Sequence, residues 1–313
     1  MARCLVLLNP RAGTLKDLAH KAGSHESPAD LVAGEFEAAG KQVDVRMVPP
    51  RDLSSALKEI EHGDDHDEII VGGGDGSLSR SLGRLLASGK TFGVLPFGTM
   101  NLLARDLGVP AEMKEAIAAL ARSEPRRVDL ASVNGRAFHS ISGLGFFAQM
   151  AQAREAARGL KGLGRFTGFA VAAFRAFFRS GRSRYELVID GSPRRVDATA
   201  VLVTNNAFEG GWRRARLDEG KIEVIVAHAG TLRQRLGLGY DVIRGRWRDN
   251  PLIESFRATT AEVDKLRRRR VWVATDGELT RENSPVRYEA MPGAALMLTP
   301  ITPRGGAAEA PAA

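Results

Sequence analysis

Ile69-Ile70-Val71-Gly72-Gly73-Gly74-Asp75-Gly76-Ser77 is the stretch from which the fold can be read, and Leu78-Ser79-Arg80-Ser81-Leu82 follows it directly. Consecutive branched aliphatic residues fit a strand buried on both faces, and residues 78–87 carry a helical pattern. Between them lie four glycines around one aspartate. Glycine lets the backbone turn sharply and approach a ligand with no Cβ in the way. The helix N-terminus then offers N–H groups and the positive end of a dipole to a phosphate. The spacing is neither G-x-G-x-x-G nor a P-loop, which would need a following lysine. A tight structural turn is the plain alternative, but each glycine weakens local structure, so a cluster of them points to a ligand.

The same alternation extends outward. Apolar runs at 4–8, 43–48, 68–71 and 92–95 are separated by helical patterns at 28–39, 53–61, 78–87 and 111–121. This predicts a doubly wound, Rossmann-like α/β domain over residues 1–126, with a parallel sheet covered on both faces. Pro96-Phe97-Gly98-Thr99-Met100-Asn101 repeats the loop logic before a helix at 102–107. Thr99 and Asn101 can cap that helix or bond a ligand. Loops leaving neighbouring parallel strands open into one crevice, and Asn9-Pro10-Arg11-Ala12-Gly13 would be its third wall.

Beyond Arg126 the pattern changes. Runs at 128–133, 137–142, 185–190, 196–204, 222–228, 256–263, 271–275, 286–290 and 295–298 read as strands, with Asn134-Gly135 and Asp190-Gly191 as hairpin turns. An antiparallel β-sandwich domain over 127–302 is expected, with a helical insertion at about 147–180 and a disordered tail at 303–313.

The chain has 313 residues, 43 % of them hydrophobic and 26 % charged, which excludes general disorder. One cysteine, Cys4, excludes an intramolecular disulfide and a cysteine-based zinc site. The apolar run at 4–8 is too short for a signal peptide, and none elsewhere is long enough to span a bilayer. A cytoplasmic protein, peripheral at the inner membrane surface, is expected. A formal charge of +8 favours a phosphate-bearing partner.

Taken together, Asn9-Pro10-x-x-Gly13, Gly73-Gly74-Asp75-Gly76-Ser77 and Pro96-x-Gly98-Thr99-x-Asn101-x-x-Ala104-Arg105-x-Leu107 resemble the diacylglycerol kinase catalytic-domain family, which includes sphingosine and ceramide kinases. Arg127-x-Asp129-Leu130, Gly143-Leu144-Gly145, Gly210-Gly211, Leu217-Asp218-Glu219-Gly220 and Asp276-Gly277-Glu278 continue the resemblance over nearly the whole chain. It implies an ATP-dependent phosphotransferase acting on a lipid alcohol, diacylglycerol first. ATP would lie between the two domains, on Asn9, Gly13, Gly73, Gly74, Asp75, Gly76, Ser77, Ser79, Gly98, Thr99 and Asn101. Glu278, with Asp276 second, would be the general base. Asp75 and Asp129 could hold Mg²⁺. The family's structural metal turn here reads Glu219-Gly220, with glutamate in place of aspartate. Ser77 and Ser79 stand where threonine and asparagine are usual. An NAD-kinase-like nucleotide kinase, or a catalytically weak lipid- or nucleotide-binding protein, is the rival reading.

Residues 154–184 interleave arginines with phenylalanines. This stretch fits either a helix packed on the sandwich or an interfacial helix on a transient anionic membrane surface. Lys265-Leu266-Arg267-Arg268-Arg269-Arg270 reads as a solvated edge, and no nucleic-acid-reading motif accompanies these clusters. His62 to Glu68 reads as a solvated turn and not as a metal cluster. Both a monomer and a homodimer are compatible with the sequence.

Overall fold

The apolar runs of the first domain do become a parallel sheet. The computed structural model describes residues 2–10, 27–49, 51–60, 65–98, 100–157, 181–209, 213–214 and 216–301. They divide into two units, Met1–Arg127 with Leu296–Ala313, and Val128–Ala295.

In the first unit, β1 (Arg3–Leu8) lies between β2 (Gln42–Met47) and β3 (Glu68–Gly73), and β3 pairs β4 (Thr91–Pro96). All three pairings are parallel. All six residues of β3 are buried, as a strand covered on both faces must be. The covering helices are α1 (Pro28–Ala38), α2 (Leu53–Ile60), α3 (Asp75–Ala87), the single-turn α4 (Leu102–Asp106) and α5 (Met113–Ala121). Each longer helix buries one apolar stripe, such as Leu78, Leu82 and Leu85 of α3. Helix α1 starts where Ser27-Pro28-x-Asp30 forms a capping box, with Pro28 in the first turn. The chain steps outward from β1 in both directions, to β2 and to β3. The ends of β1 and β3 therefore form the topological switch point, the usual place for a ligand.

Cys4 is fully buried in β1. Burial, helped by the nearby Glu68 carboxylate and opposed by Lys41, pushes its thiol pKa up to about 12. At about pH 8 only ~10⁻⁴ of it would be thiolate. Native protein should therefore leave a thiol reagent unconsumed, and unfolded protein should consume one equivalent. Rapid labelling of the native chain would show that β1 opens readily.

The second unit is antiparallel apart from its helices. It begins with β5 (Glu124–Val133), β6 (Arg136–Phe138), β7 (Ile141–Gly145), β8 (Ser183–Ile189), β9 (Ser192–Asn205) and β10 (Ile222–His228). It continues with β11 (Ile253–Ala258), β12 (Thr260–Lys265), β13 (Arg270–Thr275), β14 (Glu278–Asn283) and β15 (Val286–Thr299). The path runs β14-β13-β7-β9-β8-β12-β15, with β10 and β11 added beside β9, and β5 and β6 beside β15. Val201, Val203, Val224, Val226, Val263, Val273 and Tyr288 fill its core. Asn134-Gly135, Asp190-Gly191 and Asp276-Gly277 all have positive φ at both residues and close two-residue hairpins.

Several details differ from expectation. The run at 256–263 is two strands, because the Asp190 carboxylate accepts the N–H groups of Thr259 and Thr260 and fixes a break there. Strand β14 is polar, and helix α7 (Leu232–Ile243) lies in a stretch with no apolar run. Residues from Leu296 onward group with the first unit, since Met297 pairs Phe92 of β4. Of the helical insertion, α6 (Phe146–Ala157) is described, while residues 158–180 and the tail at 303–313 lie outside the described residues.

Candidate functional site

Strand β3 runs straight into α3 through Gly74, which caps the helix in extended backbone without a side-chain bond. The Gly74 carbonyl accepts the N–H groups of Ser77 (2.9 Å) and Leu78 (3.2 Å). With no side chain at the cap, the N–H groups of Asp75 and Gly76 are left for water or an anion. The second loop is braced onto the first. Asp75 Oδ1 accepts the Leu102 N–H at 2.8 Å. A Cβ on Gly98 would lie 2.6 Å from Gly74 Cα, and a Cβ on Gly74 would lie 3.0 Å from Gly98 Cα. The two loops touch backbone to backbone, and only glycine permits that. Gly72 and Gly73 are also sterically required: a Cβ would meet Phe97 at 2.6 Å in the first case and Ser77 at 2.7 Å in the second.

Gly76 is different. It sits in the first turn of α3, where glycine costs helix stability, and a Cβ there would meet nothing within 4 Å. Packing gives no reason for this glycine, whereas close approach of a phosphate to the helix N-terminus does.

Asn101 turns its side chain inward. Its Oδ1 accepts the Gly98 N–H at 2.8 Å, while Nδ2 donates to the Gly98 and Pro96 carbonyls. With φ at +46° it is in the left-handed region that asparagine tolerates. The structure therefore uses Asn101 as a brace for the loop. The Asn9 N–H donates to the Gly72 carbonyl at 3.1 Å, which ties the end of β1 to the glycine loop. Ser77 and Ser79 lie half-buried in the first turns of α3. Asn9, Gly73, Gly74, Asp75, Gly76, Ser77 and Gly98 thus meet at the switch point of the sheet. Gly13 and Thr99 lie outside the described residues.

The other carboxylates belong to the second unit and divide by job. Asp276 is 6 % exposed, and its two oxygens accept the backbone N–H groups of His139 (2.8 Å), Ser140 (3.0 Å) and Ile141 (3.0 Å). The Asp276 N–H donates back to the Ile141 carbonyl at 2.8 Å. Both sides of this turn are therefore committed to a strand 135 residues away in sequence. Glu278, the first residue of β14, pairs with Thr275 and is half-buried. Of the two candidate bases, Asp276 points into the backbone of 139–141.

Asp129 is similarly engaged, accepting the Gly220 N–H at 2.6 Å and the Gly293 N–H at 2.8 Å. The Glu219 carboxylate faces Arg257 at 3.5 Å and accepts the Ala207 N–H. No group of three or more acidic, histidine or cysteine side chains among the described residues could hold a metal ion. Asp75 is the carboxylate in the glycine loops that fits a cation shared with a ligand's phosphates, since Mg²⁺ commonly takes one or two carboxylates and completes its shell with phosphate and water.

Sequence reasoning missed the polar network behind these turns. Arg214 is 1 % exposed and donates to the carbonyls of His139 (2.6 Å) and Asn205 (3.1 Å). Asn205 Nδ2 in turn donates to the Asp129 carbonyl at 2.7 Å and the His139 carbonyl at 3.3 Å. Buried polar groups so connected hold a single geometry. Nothing distinguishes Arg214 from its neighbours Arg213 and Arg216 in the sequence. The basic run before β13 also lines a groove of about 360 Å³, with Lys265, Arg268, Arg270 and Arg281 around Trp272. Among the described residues no carboxylate lines it.

The chain is similar to known proteins in both sequence and fold. Residues 3–133 match the family model described as diacylglycerol kinase catalytic domain, and residues 140–299 match the YegS C-terminal NAD kinase beta sandwich-like domain. A "Probable lipid kinase YegS-like" of Pseudomonas syringae pv. syringae is 31 % identical over 294 residues, 88 % of this chain and 89 % of that protein. An uncharacterized protein of Synechocystis is 24 % identical over 78 % of this chain, which spans 57 % of that relative's length. A structure from Bacillus anthracis str. Sterne, solved as a candidate diacylglycerol kinase, superposes with a TM-score of 0.73 at 22 % identity and covers 95 % of each chain.

Proposed function

The chain belongs to the diacylglycerol kinase catalytic-domain family, and on that footing we propose that it transfers the γ-phosphoryl group of ATP to the hydroxyl of a lipid alcohol. One observation carries the reading: two glycine loops locked at Gly74 and Gly98 leave an uncapped helix N-terminus, with Gly76 open before it. That is a place for phosphates. Diacylglycerol is the leading acceptor because the matching family is named for it.

In this scheme the first turn of α3 holds the ATP phosphates, with Asn9 and Gly73 to Ser79 around them. Mg²⁺, when bound, offsets phosphate charge, and Asp75 would hold it together with the phosphates and water. The lipid oxygen attacks the γ-phosphorus and the bond to the β,γ-bridging oxygen breaks, releasing ADP. Glu278 takes the hydroxyl proton. Asp276 is a positioning residue, fixing the turn from which Glu278 emerges by its bonds to the backbone of 139–141. Asp129 anchors the Gly220 and Gly293 turns, and neither it nor Glu219 is given a metal here. The lipid is drawn from an anionic membrane surface. Among the described residues no helix is long and apolar enough to cross a bilayer.

The test is a panel assay with labelled ATP, Mg²⁺ and purified protein. Label should pass to diacylglycerol or another lipid alcohol presented in mixed micelles. The sandwich domain's NAD-kinase-like description makes NAD the necessary competitor in the panel. Label passing to NAD and to no lipid would replace this reading with that of a nucleotide kinase.

A further inference from the structure

Helix α7 (Leu232–Ile243) has a surface that neither the glycine loops nor the carboxylate turn explains. Of the nine large apolar side chains exposed among the described residues, five lie in this helix: Leu232, Leu236, Tyr240, Val242 and Ile243. None of its residues is buried. The helix nonetheless has a firm place in the fold. Thr231 and Gln234 form a reciprocal capping box at its start. Leu238 packs against the small core of Phe208, Ile225 and Trp247, and the Asp241 carboxylate accepts from Asn250 at 2.6 Å.

At 3.6 residues per turn, Leu238 and Asp241 mark the packed side of the helix. Leu232, Leu236, Tyr240 and Ile243, spaced by four, four and three, make one stripe on the opposite side. Ile243 is 86 % exposed and Leu236 55 %. Arg233 and Arg244 border the stripe on one side and Arg235 on the other, with the Arg244 guanidinium over the Tyr240 ring at 4.8 Å. Arg246 follows just past the helix. An outward apolar stripe flanked by arginines on both sides is the form of a helix that lies in a lipid interface.

We propose that α7 docks flat on an anionic lipid bilayer, with Leu232, Leu236, Tyr240 and Ile243 entering the acyl boundary and the flanking arginines meeting lipid phosphates. Charge decides between this occupant and a second copy of the chain. A two-fold contact through the stripe would set the arginines of one copy against the same arginines of the other, and like charges so placed are repulsive. An anionic surface reverses that sign. The proposal rests on the helix alone and does not require the kinase reading.

The test uses the full chain without ATP. Ile243→Cys is labelled with an environment-sensitive dye, and buried Cys4 does not compete for the label. Vesicles of phosphatidylcholine alone are compared with vesicles also containing phosphatidylglycerol. The dye emission should shift to the blue with the anionic vesicles only, and the shift should fade as salt is raised. In co-sedimentation, Leu236→Asp combined with Ile243→Asp should weaken binding at least tenfold at an unchanged melting temperature, because both side chains are exposed. Arg233→Glu with Arg244→Glu should also weaken it and flatten the salt dependence. An unshifted dye on protein that still sediments would place docking on another element and overturn the proposal. So would absence of binding. A dye shift without lipid, together with a dimer mass by light scattering, would assign the stripe to a second copy. Kinase activity on detergent-dispersed lipid is measured apart, so failure of one reading leaves the other standing.

Discussion

Glu278→Gln is expected to lower turnover with lipid by about 10²–10⁴-fold, the usual worth of general-base assistance, with little change in apparent ATP affinity. A lipid hydroxyl is a poor nucleophile at neutral pH, and the amide cannot take its proton. The change is nearly isosteric at a half-buried strand position, so the melting temperature should hold. Asp276→Asn should behave differently. Its carboxylate oxygens accept three backbone N–H groups, and an amide nitrogen in place of one oxygen would set donor against donor in a buried turn. Leaving such a donor unsatisfied costs about 1–3 kcal/mol, so Asp276→Asn should lower the melting temperature by several degrees and lose activity with it. Full turnover in Glu278→Gln, with the loss confined to Asp276→Asn at unchanged stability, would exchange the two roles.

That exchange shows where the sequence is readable. The strand, the glycines and the helix at 69–87 are local, and local rules place them. So are the Asn-Gly and Asp-Gly hairpins. The direction of the Asp276 side chain is not local, because its partners lie at 139–141 and are backbone atoms carrying no sequence signal. Arg214 was illegible for the same reason: it serves the carbonyls of His139 and Asn205. Strand β14 reads Glu278-Leu279-Thr280-Arg281-Glu282-Asn283, without apolar alternation, and owes its pairing to the turn before it. Helix α7 could have been found. Thr231-Leu232-Arg233-Gln234 has the spacing of a capping box, but Gly237 and Gly239 dilute the helical pattern after it.

Gly98→Ala and Gly76→Ala separate the structural glycines from the one that serves a ligand. At Gly98 the new methyl would stand 2.6 Å from Gly74 Cα and 2.7 Å from Asn101 Oδ1. The first neighbour is backbone, and the second is pinned by three hydrogen bonds. The loops must part, and overpacking of this kind costs about 1–3 kcal/mol, enough to weaken ATP binding roughly 10- to 100-fold. The strain should also lower the melting temperature. At Gly76 the methyl meets no described atom within 4 Å beyond its chain neighbours and its own helix backbone, and alanine favours the helix by up to about 1 kcal/mol. Stability should hold or rise. On the proposed reading the ATP phosphates rest against this first turn and the added methyl crowds them, so ATP should bind about tenfold more weakly or worse, since a displacement costing 1.4 kcal/mol is already tenfold. Loss of affinity without loss of stability is the signature of a residue kept small for its ligand. ATP affinity is read by isothermal titration and stability by thermal melting. If Gly76→Ala binds ATP as the parent does, the phosphates do not rest on this helix and the nucleotide site lies elsewhere.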